Sequence, residues 1–208
     1  MLAVGLTGNI ACGKSFVASV LRDLGSRLLD ADSVAHDLLR PGEATRDRVV
    51  EAFGGQVALE DGTIDRRALG ALVFADPAKR DLLNSIVHPE VRRRIEAWLA
   101  ESAASEPAGI AVVQAALMVE SGSYRLYDRI IVVTCPPEMQ LARLVSRDGS
   151  SKEHARTRIL SQMPQEEKAR YAHYRIDTAG GFDATRDQTV RIYRRLLEEA
   201  KLRLTRPA

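Results

Sequence analysis

Gly8-Asn9-Ile10-Ala11-Cys12-Gly13-Lys14-Ser15 places two glycines, a lysine and a hydroxyl in the order G-x-x-x-x-G-K-[ST]. This arrangement suits a phosphate chain. Successive backbone N–H groups from about Asn9 to Ser15 turn inward around an anion, and glycine at 8 and 13 permits that backbone shape. Lys14 then brings an ammonium to the β- and γ-phosphates, the following helix adds the partial charge of its N-terminus, and the Ser15 hydroxyl stands ready to ligate Mg²⁺. Composition alone would give such a string in on the order of 1 in 100 chains of this length. The second chemical signal is Asp30-Ala31-Asp32. If the chain stays extended through Asp32, two carboxylates share one face and approach an acceptor hydroxyl and a metal shell together. Alternatively, Asp32 caps a helix beginning near Ser33.

The positions of these residues depend on the elements around them. Leu2 to Thr7 reads as a buried strand, Lys14 to Leu24 as an amphipathic helix and Arg27 to Asp30 as a second strand, with Gly25 at the turn. Ile110 to Val113 and Arg129 to Thr134 carry the β-branched enrichment of core strands, and Tyr174 to Asp177 is a short late candidate. Strands alternating with helices predict an α/β, three-layer P-loop NTPase fold with a mostly parallel five-stranded sheet. Asp30 then stands at the sheet edge where such folds place ligands. Between the second and third strands, Ala44 to Phe53, Asp65 to Phe74, Pro77 to Val87 and Pro89 to Ala103 have helical periodicity. They form a helical insertion in which Pro89 opens a new helix. A helix from near Pro137, a polar break over Arg147 to Ser151 and a helix over Lys152 to Gln162 form a short lid, and a charged-faced helix over Asp183 to Arg203 closes the chain. The organisation is a single domain over 1–208, with a core of about 1–40, 108–135 and 172–208, an insertion of about 41–107 and a lid of about 136–171.

Composition narrows the function. With 30 basic against 28 acidic side chains, the net charge of +2 is too small for nucleic-acid binding by counterion release, so an anion site must be local. No apolar run approaches the roughly 18 residues of a membrane span, and the first residues resemble no signal or transit peptide. Two cysteines, Cys12 and Cys135, make no disulfide scaffold or metal spacing. The reading is a soluble, cytoplasmic protein. Cys12, at a helix N-terminus beside Lys14, is a candidate for a lowered thiol pKa and oxidation, and Cys135 for the core. Ile110 to Val113 leads into Gln114 and RIIVV into Thr134, with no acidic strand end for Mg²⁺ and no Asn-Lys-x-Asp string. Motor and switch proteins lose weight accordingly.

Taken in order, GLTGNIACGKS (5–15), LDADSVAH (29–36), DGTIDRRALGALVFADP (61–77), LNSIVHPEV (83–91), ALMVE (116–120) and PPEMQLARLVSRD (136–148) resemble the dephospho-CoA kinase family over nearly the whole chain. The resemblance implies ATP and dephospho-CoA as substrates, Mg²⁺ as cofactor, and transfer to the ribose 3′-hydroxyl in the last step of coenzyme A synthesis. It implies no nucleic-acid or membrane partner and leaves the oligomeric state open. The implied catalytic residues are Lys14, Asp30 and Arg143. The implied nucleotide site comprises Gly8, Asn9, Ile10, Ala11, Cys12, Gly13, Lys14, Ser15, Phe16 and Arg147, with Ser15 also on the metal. Asp30, Asp32, His36, Arg66, Arg67, Asn84 and His88 are the implied acceptor residues. Arg143 and Arg147, four apart on a helix, share a face and reach over the phosphates, or line a solvated surface. Asn9, Cys12, Phe16 and Ala116 depart from the family's more familiar Gly, Ser, Thr and Pro, and His173 and Thr178 from Asp and Asn. A kinase acting on another small hydroxyl acceptor, or a nucleotide-dependent binding switch, are the competing readings.

Overall fold

The computed structural model describes residues 1–205. Five strands, β1 (Leu2–Gly8), β2 (Arg27–Asp30), β3 (Ile110–Gln114), β4 (Arg129–Thr134) and β5 (Tyr174–Asp177), form one sheet in the order β2-β3-β1-β4-β5, and every pairing is parallel. Parallel neighbours need crossovers, and helices supply them. These are α1 (Lys14–Asp23), α2 (Ala31–Asp37), α3 (Ala44–Phe53), α4 (Arg66–Ala75), α5 (Pro77–Ser105), α6 (Pro137–Asp148), α7 (Lys152–Leu160), α8 (Gln165–Lys168) and α9 (Gly181–Thr205). The chain divides into two compact units: Met1–Asp30 with the described residues from Leu99 onward, and Ala31–Trp98.

In the first unit both faces of the sheet are buried. Leu2, Val4, Leu6, Ile110, Val112, Ile131 and Val133 pack with Val17 and Leu21 of α1 and with Ile192 and Leu196 of α9. The alternate residues Ala111, Val113, Ile130 and Val132 are buried as well. Near-continuous apolar strands are the consequence of covering both faces, and each fully buried aliphatic side chain contributes about 1.5–3 kcal/mol.

The second unit has its own core of Val49, Phe53, Val57, Ile64, Leu69, Ile86 and Val87. Gly54 (φ 87°) ends α3, and Gly62 (φ 81°) closes a turn in which Asp61 Oδ1 accepts from the Thr63 N–H and hydroxyl. Those bonds hold the Asp61 carboxyl below the usual carboxylate range. Asp65 caps α4, accepting from the Arg67 and Ala68 N–H groups.

Two expectations are corrected. Pro89 starts no new helix: α5 runs through it. The missing N–H costs one bond inside the helix, but Ile86 and Val87 before the proline and Ile95 after it are all buried, so packing on both sides keeps the helix whole. Asp32 does not continue an extended strand, because β2 ends at Asp30 and α2 starts at Ala31, placing Asp32 in the first helical turn. The two carboxylates therefore do not share a strand face.

Candidate active site

The carboxyl edge of the sheet gathers the chemistry because register fixes it. Leu6 of β1 pairs with Gln114 of β3, and Gln114 pairs with Asp30 of β2, so Asp30 lies level with Leu6, two residues before β1 ends at Gly8, and two strands away, about 10 Å. Gln114 Nε2 donates to Asp30 Oδ2 at 3.0 Å, fixing the carboxylate's orientation.

From Gly8 the chain curls into a loop that ends on α1. Gly13 adopts φ 87°, ψ 15° as the N-cap, and even Ala11 is left-handed at φ 60°. A Cβ on Gly8 would lie 2.4 Å from the Val133 carbonyl oxygen, and one on Gly13 would lie 3.1 Å from Thr178 Cγ2. A side chain at Gly8 would strike backbone, and one at Gly13 would press on the Thr178 methyl in a left-handed conformation. Lys14 Nζ donates to the Gly8 carbonyl at 3.0 Å, which folds the ammonium back over the loop, and Ser15 stands exposed in the first turn of α1. The first N–H groups of any helix lack intrahelical partners, so this end presents donors and a partial positive charge.

The segment after α7 and Gln140 of α6 brace the loop. Asn9 Nδ2 donates to the Met163 carbonyl (2.9 Å), the Ile10 N–H donates to Gln162 Oε1 (2.8 Å), and Gln140 Nε2 donates to the Ile10 carbonyl (2.9 Å). Gln162 reaches the loop because α7 stops at Leu160, two residues before the end expected from sequence. Gln165 Oε1 accepts from Cys12 Sγ (3.2 Å) and from the Cys135 N–H (3.1 Å). None of these amides has a periodic signature in the sequence. Lys168 was equally hidden: its ammonium is 0% exposed, donating to the Ala116 carbonyl and pairing with Glu120 Oε1, each at 2.9 Å.

Beside the cradle lies a cavity of about 300 Å³ lined by Gly13, Phe16, Arg143, Thr178, Phe182 and Thr185. The rings of Phe16 and Phe182 meet edge to face at 4.9 Å. The Arg143 guanidinium donates to Thr178 Oγ1 (2.7 Å) and to the Thr178 carbonyl (3.1 Å). The helix face expected to carry two arginines together is divided. Arg143 is anchored on the Thr178 loop, whereas Arg147 is exposed and pairs with Asp148 at 2.7 Å.

The cysteines adjoin the same loop. Cys12 Sγ and Cys135 Sγ are 3.4 Å apart, both buried. Contact with Cys135 and burial push the Cys12 thiol up, overturning the expectation that Lys14 lowers it; the lysine's contribution is the smaller one. Cys135 is shifted down, by its contact with the Cys12 sulfur and then by the charge of Arg143.

In the second unit, Arg66 Nη1 hydrogen-bonds His36 Nδ1. His36, Arg67 and His88 are exposed and Asn84 is half-buried. Among the described residues, no group of three or more His, Cys, Asp or Glu is placed to hold a metal ion, and no helix is long and apolar enough to cross a membrane.

The model of the dephospho-CoA kinase family matches residues 2–183. This chain belongs to that family. A dephospho-CoA kinase of Geobacter metallireducens is 42% identical over 199 residues, covering 96% of this chain and 98% of the relative. One of Carboxydothermus hydrogenoformans is 43% identical over 189 residues, covering 91% of each. Among solved structures, a Thermus thermophilus protein superposes with a TM-score of 0.77 at 32% identity, covering 92% of this chain and 95% of that one. The dephospho-CoA kinase of Campylobacter jejuni gives 0.71 at 28%, covering 95% and 98%.

The departures from the dephospho-CoA kinase pattern all have structural partners. Asn9 is bonded to Met163, Cys12 touches Cys135 and Phe16 stacks against Phe182. The Ala116 carbonyl accepts from both Thr7 Oγ1 (3.3 Å) and Lys168. His173 Nδ1 accepts from the Ile130 N–H at 3.1 Å. Thr178 bridges the cavity to the cradle, accepting from Arg143 while its hydroxyl donates to the Cys12 carbonyl at 3.2 Å.

Proposed function

We propose that this protein transfers the γ-phosphoryl group of ATP to the ribose 3′-hydroxyl of dephospho-CoA, giving CoA and ADP, the last step of coenzyme A biosynthesis. The observation that carries the reading is the register that aligns Asp30, through Gln114, with Leu6 of β1, the strand that leads into the Gly8–Ser15 loop, so that a carboxylate and the phosphate-loop motif share one sheet edge.

In this reading Lys14 and the cradle N–H groups other than those of Ile10 and Cys12, which bond Gln162 and Asn9, hold the β- and γ-phosphates, and the approach distances at Gly8 and Gly13 account for the absence of side chains there. The base of the nucleotide occupies the cavity between Phe16, Phe182 and Arg143, whose apolar rings suit a purine face. Ser15 fits a Mg²⁺ site, since Mg²⁺ retains waters and binds phosphate oxygens rather than requiring an all-protein cage. The ion, when bound, neutralises charge between the phosphates. Asp30 accepts or orients the proton of the attacking hydroxyl, and Gln114 keeps its oxygens aimed. Because phosphoryl transfer rests on alignment and charge neutralisation, orientation matters more than basicity at Asp30. Asp32, His36, Arg66, Arg67, Asn84 and His88 in the second unit are assigned to the CoA-like acceptor. Arg147 contributes from the lid, and the protein works in the cytoplasm.

Purified protein supplied with ATP, Mg²⁺ and a panel of hydroxyl acceptors tests this. Conversion of dephospho-CoA to CoA with matching ADP release is expected. Failure on dephospho-CoA alongside rapid use of another acceptor would overturn the assignment.

A further inference from the structure

We propose that Cys12 and Cys135 form an oxidative modification site, where a hydroperoxide joins the phosphate-binding loop to the exit of β4 by a disulfide and thereby disables nucleotide binding. The inference rests on reading the Gly8–Ser15 loop as the nucleotide cradle.

The two sulfurs already touch at 3.4 Å. Neither thiol is used by the proposed transfer. Their environments give them different roles. Cys135 retains 6% exposure against 0% for Cys12, so the oxidant reaches Cys135 first. Contact with the Cys12 sulfur and the charge of the nearby Arg143 guanidinium hold the Cys135 thiol below its ordinary value, which favours the reactive thiolate. Cys12 remains the protonated partner, poised as the resolving thiol.

The chemistry balances in two steps. The Cys135 thiolate attacks one oxygen of hydrogen peroxide; the O–O bond breaks, Cys135 becomes a sulfenic acid, and the departing oxygen takes a proton to leave as water. The Cys12 sulfur then attacks the sulfenic sulfur. The S–O bond breaks and the hydroxide leaves with the Cys12 proton as a second water. Two thiols have lost two electrons and two protons in all, and the peroxide has gained them. A small thiol reverses the modification by exchange.

The consequence for the loop follows from its anchors. A disulfide requires about 2.05 Å between sulfurs, so the pair must close by more than 1 Å. Cys135 is held on the sheet side, where Gln165 accepts from its N–H and donates to its carbonyl at 3.0 Å. Cys12 lies within the cradle turn, its N–H on the Asn9 carbonyl (3.3 Å) and its carbonyl on Thr178. With both cysteines anchored in this way, closure pulls on the turn at Cys12 and strains the loop read as the nucleotide cradle. A misplacement of about 1 Å at an aligned site costs about 100-fold in turnover.

The test treats the full-length protein with hydrogen peroxide, maps the cysteine peptides by mass spectrometry and titrates ATP before oxidation, after it, and after dithiothreitol. The expected result is a Cys12–Cys135 linked peptide pair, ATP affinity lowered by about 10-fold or more, and recovery on reduction. Cys135→Ala, with Cys135→Ser as the alternative if alanine folds poorly, is expected to keep its ATP affinity through the same treatment. Thiols consumed without a linked pair would overturn the proposal. So would a linked pair with unchanged ATP affinity, or equal loss of affinity in the Cys135 variants. Reduced protein that does not bind ATP overturns the cradle reading and the effect on affinity with it, while the linked peptides report the cysteine chemistry separately.

Discussion

Gln114 Nε2 donates to Asp30 Oδ2 at 3.0 Å across a register pair of β3 and β2, so the carboxylate at the sheet edge is oriented by its neighbouring strand. If Asp30 handles the acceptor proton, Asp30→Asn retains ATP binding and lowers kcat by about 100-fold or more, the usual scale of a positioned acid or base. Gln114→Leu, which removes only the orienting bond, gives a smaller loss in kcat with Asp30 intact. Steady-state kinetics with separately measured ATP affinity decide the matter, and normal turnover in Asp30→Asn removes Asp30 from catalysis.

Lys14 Nζ lies on the Gly8 carbonyl, within the curl of the loop. If Lys14 carries the charge that meets the transferred group, Lys14→Ala loses about 100-fold or more in kcat/KM, the range seen when one transition-state donor is removed. Thermal melting should change little, since Lys14 is only half-buried and lies outside the core clusters. Activity within a factor of a few of the parent would contradict the phosphate assignment.

How far such positions are legible in sequence differs from residue to residue. Strand bounds at Arg27–Asp30, Arg129–Thr134 and Tyr174–Asp177 match the structure; the β-branched run of Arg129–Thr134 leaves little choice, and the other two are short apolar segments set between helical stretches. The cradle was legible for a related reason: glycine spacing encodes a backbone shape. The bracing amides Gln140, Gln162 and Gln165 and the buried Lys168 were not, because a side chain bonding to a distant carbonyl leaves no periodic trace. Pro89 misled in the opposite direction. Its local cost is real, but burial of Ile86, Val87 and Ile95 around it outweighs that cost, and only tertiary packing reveals this.

Gly8 provides a stringent steric test. The Cβ of Gly8→Ala would sit 2.4 Å from a backbone oxygen of Val133, and backbone cannot rotate away as a side chain tip can. Separation of β1 from β4 at that point predicts a stability loss of about 1–3 kcal/mol, measurable by urea unfolding, together with weaker ATP binding. Gly13→Ala, at φ 87° and facing only a methyl of Thr178 at 3.1 Å, should lose stability mainly through backbone strain.

Asp148 makes a pH prediction. It pairs with Arg147 and with Arg158, and these contacts pull its carboxyl from the ordinary 3.8 down to about 2. A lowered folded-state value means that the stabilisation is complete above the ordinary value and disappears as pH falls from there through about 2. The group faces solvent, so the effect on melting is small and weakens with salt. Carbon NMR titration of the Asp148 carboxyl is expected to give a midpoint near 2, moving upward in Arg147→Ala and Arg158→Ala. A midpoint at the ordinary value in the parent would show that the lid arginines do not hold it.

Lys168 links three parts of the first unit. Its ammonium is 0% exposed and donates to Ala116 and Glu120, while Glu120 Oε1 also accepts from the Met163 N–H at 3.3 Å and the Met163 carbonyl holds Asn9 of the cradle. Lys168→Met keeps the stem's apolar volume but removes the charge. Breaking a fully buried ion pair by deleting one partner costs about 3–5 kcal/mol. The Glu120 side chain, however, is 23% exposed and recovers some hydration, so a loss nearer 2 kcal/mol is expected. The kinetic expectation is more specific. Glu120 released from Lys168 no longer holds Met163, Asn9 loses its carbonyl partner's fixed position, and KM for ATP rises in protein that is still folded at low temperature. Lys168→Arg, which keeps a charge but not the geometry, should restore stability more than it restores KM. Equal recovery of both would reduce Lys168 to a purely structural residue.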